Sequence, residues 1–403
     1  MAVGEFVFPE LEPIVGIRLG TASAGIKQQE REDLLLVELP QGAACSAVFT
    51  RNAFCAAPVT LARQNIKNRP RWLLVNSGNA NAGTGHQGMA DALETCRTLA
   101  NLAGCAETQV LPFSTGVIGE RLPTDNFKNA IPLALAALSE NGWHRAAKSI
   151  MTTDTQPKGA CKRFHLGGRP TVISGIAKGA GMIHPNMATM LSFIATDAHI
   201  DQPALDKCLA LAVERSFNRI SVDGDTSTND ACVLIATGSG STPIVEKDTE
   251  FFAFTAALQE VCDTLAESIV RDGEGATKLI HVVVEDADSE QEALDVAKTV
   301  AGSSLVKTAF YASDPNWGRI LAAVGRAGLE HFDIGRVAIW LDDVQIVCNG
   351  GVAPEYTESA GQTVMSREEI KVRIVLARGR CSCRVLSCDL SYDYVRINSD
   401  YRT

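Results

Sequence analysis

A threonine that follows a small residue at the end of a tight turn can attack its own preceding carbonyl. The segment Lys178-Gly179-Ala180-Gly181-Met182-Ile183-His184-Pro185-Asn186-Met187-Ala188-Thr189-Met190-Leu191 has that arrangement. Its glycyl and alanyl steps permit close backbone approach, and Pro185 stiffens the turn. An N-to-O acyl shift at Ala188-Thr189, followed by ester hydrolysis, would cut the chain and leave Thr189 with a new α-amine. Such an amine has an ordinary pKa of about 7.7–8.0, so it can serve as general base to its own hydroxyl near neutral pH. That would supply a nucleophile and a base without a histidine. Residue types alone also allow a plainer reading, a glycine-rich turn feeding a buried strand.

Other chemistries find less support. The chain has no G-x-x-x-x-G-K-[ST] phosphate loop and no G-x-S-x-G elbow. Its seven histidines are dispersed, with no pair at i, i+4; His184 reads as a loop-positioning residue. Asp223 to Asp230 (D-G-D-T-S-T-N-D) superficially resembles a calcium loop, but the glycine is misplaced and the closing Glu is missing. A hydrogen-bonded turn is the better expectation there. Cys381, Cys383 and Cys388 cluster without a histidine at ligand spacing, a poor zinc signature. They read as structural thiols on a strand, and no metal is expected.

The elements that must carry these residues alternate between strands and helices, which argues α/β or α+β. Strands are expected at Asp33 to Leu39, Arg71 to Asn76 and Gln109 to Ser114, the last two running into glycine-bearing loops. A helix is expected from about His86 to Leu102, and another from Thr124 to Ser139 with Thr124 as N-cap. Lys162 to Ala177 reads as a hairpin about Gly167-Gly168, followed by a strand near Thr189 to Thr196. Asp201 caps a helix to Arg215, with Pro203 in its first turn. Phe251 to Val270 is the longest amphipathic helix. The last 70 residues read mostly as β structure: a turn at Asp342-Asp343, then strands at Ile370 to Leu376, Cys381 to Leu386 and Tyr392 to Asn398.

With 403 residues, 46% hydrophobic and 21% charged, the chain is globular in composition and long enough for two or three domains. The net charge of −10 and the lack of a basic stripe argue against nucleic acid and anionic membranes as partners. The first residues lack the basic start and apolar run of a secretory peptide, and no apolar stretch approaches bilayer length. A reducing, cytoplasmic setting is expected.

Around the threonine segment the sequence resembles the ornithine acetyltransferase (glutamate N-acetyltransferase) family of arginine biosynthesis. K-G-A-G-M-I-H-P-N-M-A-T-M-L is very close to that family's self-cleavage motif. Further matching blocks are Asn76 to Ala82, Ser114 to Gly119, Met151 to Thr155, Ser221 to Asp230, Asp314 to Arg319 and Tyr394 to Thr403. They span most of the chain in the expected order.

The resemblance implies a four-layer αββα sandwich of the self-processing amidase type with a smaller second lobe, placed roughly at 240–345. Cleavage between Ala188 and Thr189 would give an α chain, 1–188, and a β chain, 189–403, that remain associated and form oligomers of αβ units. Thr189 would be both the cleavage nucleophile and the acetyl carrier. Thr115 and Gly116 would form an oxyanion hole, a role worth roughly 3–4 kcal/mol per donor. Lys178 would pair with a substrate carboxylate and Glu274 would face the substrate's positive end. Asn398, Thr403 and one of Thr152 or Thr153, with Thr152 preferred, would complete the contacts. Without the resemblance, Glu274 reads as a solvated loop acid and Asn398 and Thr403 as frayed-end residues.

The implied reaction moves acetyl from N2-acetylornithine to glutamate by double displacement, with no cofactor. Alternatives are a bifunctional form that also takes acetyl-CoA, a self-processing aminopeptidase or amidohydrolase, and a non-catalytic metabolite binder on the same scaffold.

Overall fold

The computed structural model describes residues 2–5, 7–26, 31–184, 190–238 and 242–400. It divides into two compact units, 7–218 with 225–269, and 1–6 with 219–224 and 270–403. The smaller unit therefore differs from the expected 240–345. Residues 240–269 belong to the larger unit, and 346–403 belong to the smaller one. The reason is strand pairing: Leu279–Ala287 takes Glu369–Val375 and Cys381–Cys388 as its two neighbours, which ties the chain's end to its middle.

The larger unit is built on two sheets. One orders the strands Arg18–Ala22, Leu34–Glu38, Trp72–Asn79 and Val110–Val117, the last two parallel. The other orders Ala44–Phe49, Ala231–Ala236, Leu191–Thr196, Arg169–Lys178 and Lys158–Leu166. Side chains of both sheets meet in one core: Leu35, Val37, Leu73, Val75 and Phe113 from the first, and Ile176, Phe193, Val233 and Ile235 from the second. Phe113 and Phe193 cross edge-to-face at 5.3 Å between centroids, a favoured aromatic geometry.

The opposite face of the first sheet, with Leu34, Leu36, Trp72 and Leu74, is covered by helices Gly85–Ala103 and Thr124–Ala136. Helices Gln202–Arg215 and Thr249–Arg271 lie on the outer face of the second. Cys208 Sγ and Thr255 Oγ1 join them at 3.1 Å, and Leu265 packs over Gly175. This stacking is the expected four-layer αββα sandwich, on strands apolar enough to be buried on both faces.

Local signals account for most elements. The hairpin turns at Gly167-Gly168, both at positive φ. Asp201 caps its helix by accepting from Ala204 N. Two expectations fail. Thr124 is not a cap: the N-cap position is Pro123, and no side chain caps that end. Tyr392 to Asn398 is not a strand but part of helix Tyr392–Asp400. Ser391 accepts from Tyr394 N at 3.4 Å, an N-cap signal that a short run of alternating apolar residues had masked.

The smaller unit has a seven-stranded sheet, in the order Gly351–Val352, Val344–Cys348, Ala338–Leu341, Glu369–Val375, Leu279–Ala287, Cys381–Cys388 and Ile220–Ser221. Helices Glu290–Ala301, Ser304–Tyr311, Trp317–Gly325 and Glu358–Met365 pack with it in one apolar core. Cys383 and Cys388 are buried on their strand, and burial pushes both thiols up, as suits structural thiols. No helix among the described residues is long and apolar enough to cross a membrane.

Phe193→Ala should open a cavity between the two sheets of the larger unit and cost about 3–5 kcal/mol. A shift in the chemical denaturation midpoint measures it. An unchanged midpoint would mean that this core is not what holds the two sheets together.

Candidate active site

Parallel strands Trp72–Asn79 and Val110–Val117 each carry a glycine as their last residue but one. Gly78 lies opposite Gly116, and the register slips just beyond. Gly116 has φ +133°, and a Cβ there would sit 2.2 Å from the carbonyl carbon of Gly78. Only glycine fits such a crossing. Around it the side-chain amides are committed. Asn76 accepts from Ser114 Oγ at 2.6 Å and donates to Asn79 O at 2.8 Å. Asn79 accepts from Asn81 N at 2.8 Å. Ser77 Oγ donates to Ser149 O at 2.6 Å. Thr115 and Gly116 are thus held on a rigid strand end, not on a loose loop as first read.

Lys178 is the last residue of strand Arg169–Lys178. It is buried, and its Nζ donates to Thr115 Oγ1 at 3.2 Å. Two residues expected to act together therefore meet. The link to Thr152 runs through Asp154, to which the sequence reading gave no role. Asp154 Oδ1 accepts from Lys158 Nζ at 2.6 Å and from Gly179 N at 2.7 Å, and Oδ2 accepts from Thr152 N at 3.0 Å. Burial by itself would raise this carboxyl's pKa. The charges of Lys158 and Lys178, with the hydrogen bonds from Lys158 and Thr152 N, outweigh it and hold the group well below the usual carboxylate range. The sequence signal for this ion pair was the i, i+4 spacing of Asp154 and Lys158 beside a strand.

Ala188 and Thr189 lie outside the described residues, as does Thr403. The chain on both sides of 185–189 is anchored. Ile183 forms a bridge with Thr226, and Thr226 Oγ1 donates to His184 O at 3.3 Å. On the other side Met190 O accepts from Ala231 N at 2.9 Å, where Leu191–Thr196 pairs with Ala231–Ala236. Residues 226–230 form the expected hydrogen-bonded loop. Thr50 Oγ1 donates to Ser227 O at 2.8 Å, Asn52 Nδ2 to Thr226 O at 2.9 Å, and Asn229 Nδ2 to Ala80 O at 2.6 Å. Asp230, also unassigned by the sequence reading, is buried there, and among the described residues its Oδ2 has no hydrogen-bond partner.

Two further expected residues belong to the smaller unit. Asn398 Nδ2 donates to Glu274 Oε2 at 2.7 Å. Glu274 is buried, unlike the solvated loop acid its composition suggests, while Asn398 is exposed on the C-terminal helix. Gly275 makes this approach possible. It sits at φ +69°, and a Cβ there would lie 2.5 Å from Tyr394 N. Ser391 Oγ donates to Gly275 O at 2.6 Å, and Asp389 accepts from Thr277 N, Thr277 Oγ1 and Lys278 N.

Asp154 also carries a stability prediction. Its folded pKa lies below that of an unfolded aspartate, about 3.9. Its stabilisation is therefore present above that value and is lost as pH falls through the folded pKa. Asp154→Asn would leave Lys158 buried without its counter-ion. It should cost about 3–5 kcal/mol at pH 7, with a deficit that shrinks at acid pH. A denaturation series across pH decides this; a deficit independent of pH would rule out the ionised carboxylate as the source.

Comparison with known proteins places these residues in context. The family model described as "ArgJ family" matches residues 18–403. A protein of Methylococcus capsulatus named "Arginine biosynthesis bifunctional protein ArgJ" is 62% identical over 392 residues, 97% of this chain and 96% of that protein. A Pseudomonas fluorescens protein of the same name is 52% identical over the whole of both chains. Among solved structures, "Arginine biosynthesis bifunctional protein argJ" of Bacillus halodurans aligns with a TM-score of 0.47 at 39% identity, covering 50% of this chain and 95% of that one. On the match along nearly its whole length, the chain belongs to the ArgJ family.

Proposed function

We propose that this protein is a self-cleaving N-acetyltransferase that moves acetyl from N2-acetylornithine to glutamate, a step of arginine biosynthesis. Membership of the ArgJ family and the names of its relatives support the pathway. The observation that carries the site is the buried ammonium of Lys178 on the Thr115 hydroxyl, beside the Gly78–Gly116 crossing. A cation for a carboxylate thus stands next to the strand end proposed to stabilise an oxyanion.

In this reading Ala188-Thr189 is cut autocatalytically, and the freed α-amine of Thr189 takes the proton from its own Oγ. Oγ attacks the acetyl carbonyl of the donor, and charge collects on the carbonyl oxygen, where Thr115 and Gly116 act. The carbon–nitrogen bond then breaks, the proton passes to the departing amine, and ornithine leaves. Glutamate enters the same site and its amine takes the acetyl by the reverse sequence. Both amino acids carry an α-carboxylate, so one cation at Lys178 serves both. Thr152, Glu274, Asn398 and Thr403 are assigned to the remaining contacts, Glu274 toward the positive end of ornithine.

The chemistry calls for no cofactor. The two fragments stay associated as αβ units that oligomerise, in the cytoplasm. A second reading extends the first: acetyl-CoA as an additional donor, favoured by the word "bifunctional" in the relatives' names. Glutamate acetylation with acetyl-CoA as sole donor tests it.

Denaturing intact mass should resolve two species of about 20 and 23 kDa, in proportion to 188 and 215 residues. The larger should gain one acetyl group on exposure to donor. Thr189→Ala should abolish both cleavage and transfer; an uncut yet fully active chain would refute the scheme. An aminopeptidase or amidohydrolase would instead release free acetate or amino acid without transfer, and a metabolite binder would show neither label nor turnover. Gly116→Ala should lower kcat by about 10²–10³, the range for a lost oxyanion donor, since a Cβ cannot fit the crossing.

A further inference from the structure

Phe54 is 54% exposed and Ile118 38% exposed, yet neither sits on loose chain. The loop that carries Phe54 is fastened to residues 226–230. Thr50 N donates to Asp230 O at 3.0 Å, Thr50 Oγ1 to Ser227 O at 2.8 Å, Asn52 Nδ2 to Thr226 O at 2.9 Å, and Ala56 N to Thr228 O at 3.0 Å. Within the loop, Phe54 N donates to Asn52 Oδ1 at 2.9 Å. Ile118 follows strand Val110–Val117 directly, where Ala80 N donates to Val117 O and Gly119 N to Ala82 O, both at 2.9 Å.

The two side chains meet over Gly83. A Cβ built on that glycine would lie 3.1 Å from Phe54 Cζ and 3.8 Å from Ile118 Cγ2, and the residue holds φ +72°. Glycine thus puts no side chain of its own against the pair. Ile118 is two residues past Gly116, and the Phe54 loop is tied through Asn52 to Thr226, the residue that bridges Ile183 and donates to His184 O. The apolar pair therefore borders the strand end assigned to the oxyanion on one side. On the other it borders the residues that hold the chain leading to residue 185. Adjoining apolar side chains that a rigid backbone keeps in solvent mark a contact surface.

The two donors considered for this site differ in what they would offer such a surface. N2-acetylornithine is short, and its carboxylate and ammonium call for charged partners. A coenzyme A thioester brings its acetyl group on a long arm of methylenes, amides and a dimethyl carbon that ends in phosphates. That arm suits an apolar pair beside the reacting carbon. The exposed Arg51 stands three residues before Phe54 on the same loop, a cation for phosphate in a chain of net charge −10. Arg121, on the Ile118 side, is instead paired with Asp91 at 3.4 Å.

We propose that Phe54 and Ile118 are specificity-determining residues that contact the pantetheine arm of an acyl-CoA donor and have no part in transfer from N2-acetylornithine. The inference rests on the acetyl-transfer reading and its extension to acetyl-CoA, and adds where that donor lies. The step itself is the one already assigned to Thr189. Its Oγ attacks the thioester carbonyl as its proton passes to the α-amine. The carbon–sulfur bond then breaks, the departing thiolate takes that proton, and acetyl remains on Oγ.

The test compares kcat/KM for acetyl-CoA, S-acetylpantetheine and N2-acetylornithine as donors to glutamate, in the wild type, Phe54→Ala, Phe54→Leu and Ile118→Ala. Phe54→Ala should lower the value for both thioesters about tenfold or more and leave that for N2-acetylornithine within about twofold. Ile118→Ala should act in the same direction, and Phe54→Leu should recover most of the loss. A parallel fall with all three donors, or no fall with the thioesters, overturns the proposal. So does a loss confined to acetyl-CoA, since S-acetylpantetheine lacks the nucleotide and shares only the arm. A wild type that transfers from N2-acetylornithine but from neither thioester overturns it with the transfer reading intact. Absence of transfer from every donor overturns it by removing the reading beneath it.

Discussion

A carboxylate shut away from water needs its charge answered by the protein, and Asp154 gathers the elements that answer it. Lys158 opens one strand of the five-stranded sheet, Gly179 follows the end of its neighbour, and Thr152 lies in the loop before both. Burying such an ion costs several kcal/mol unless good donors surround it. The arrangement is therefore close to all-or-none: the three donors are held together or the acid cannot remain ionised. Thr152 and Lys178 take their places as a consequence. Neither is set by the local preferences of a loop, although both flank irregular chain.

Lys178 carries that constraint to the four-stranded sheet, where it meets Thr115. The crossing of Gly78 and Gly116 is a second constraint of a different kind, steric and not electrostatic. Two backbones this close leave no volume for a Cβ, and the surrounding Asn and Ser side chains hold the strand ends by hydrogen bonds to main chain and to one another. Peptide groups fixed before a ligand arrives lose nothing to reorganisation when charge develops near them, which is what makes such donors effective in acyl transfer.

Much of this was legible from residue types. The hairpin about Gly167-Gly168 and the helix capped by Asp201 rest on signals a few residues long, and the structure has them. The threonine segment and its matching blocks pointed to the family that the comparisons support. What stayed hidden depends on partners distant in sequence. The apolar residues of helix Tyr392–Asp400 alternate for a few positions, which imitates a strand. Its seat on Gly275 and Glu274 is more than 100 residues away in the chain. The limits of the smaller unit follow from pairing Leu279–Ala287 with strands near the C-terminus, which no composition shift announces. Asp154 and Asp230 are ordinary acids in the sequence; burial, and at Asp154 the lysines and hydrogen bonds that answer it, makes them unusual.

Those two acids show how little of a carboxyl's behaviour belongs to the residue itself. Both are aspartates, both are buried, and both lie within the influence of Lys178. Asp154 sits where a lysine and two peptide N–H groups converge, so the ion is the lower state. Asp230 sits at the head of Ala231–Ala236 (A-C-V-L-I-A), a strand with no polar side chain beyond a thiol and wholly buried. Among the described residues its Oδ2 has no hydrogen-bond partner, and burial pushes its carboxyl up. Strand order brings Arg169–Lys178, Leu191–Thr196 and Ala231–Ala236 side by side, so that both acids come within the influence of Lys178.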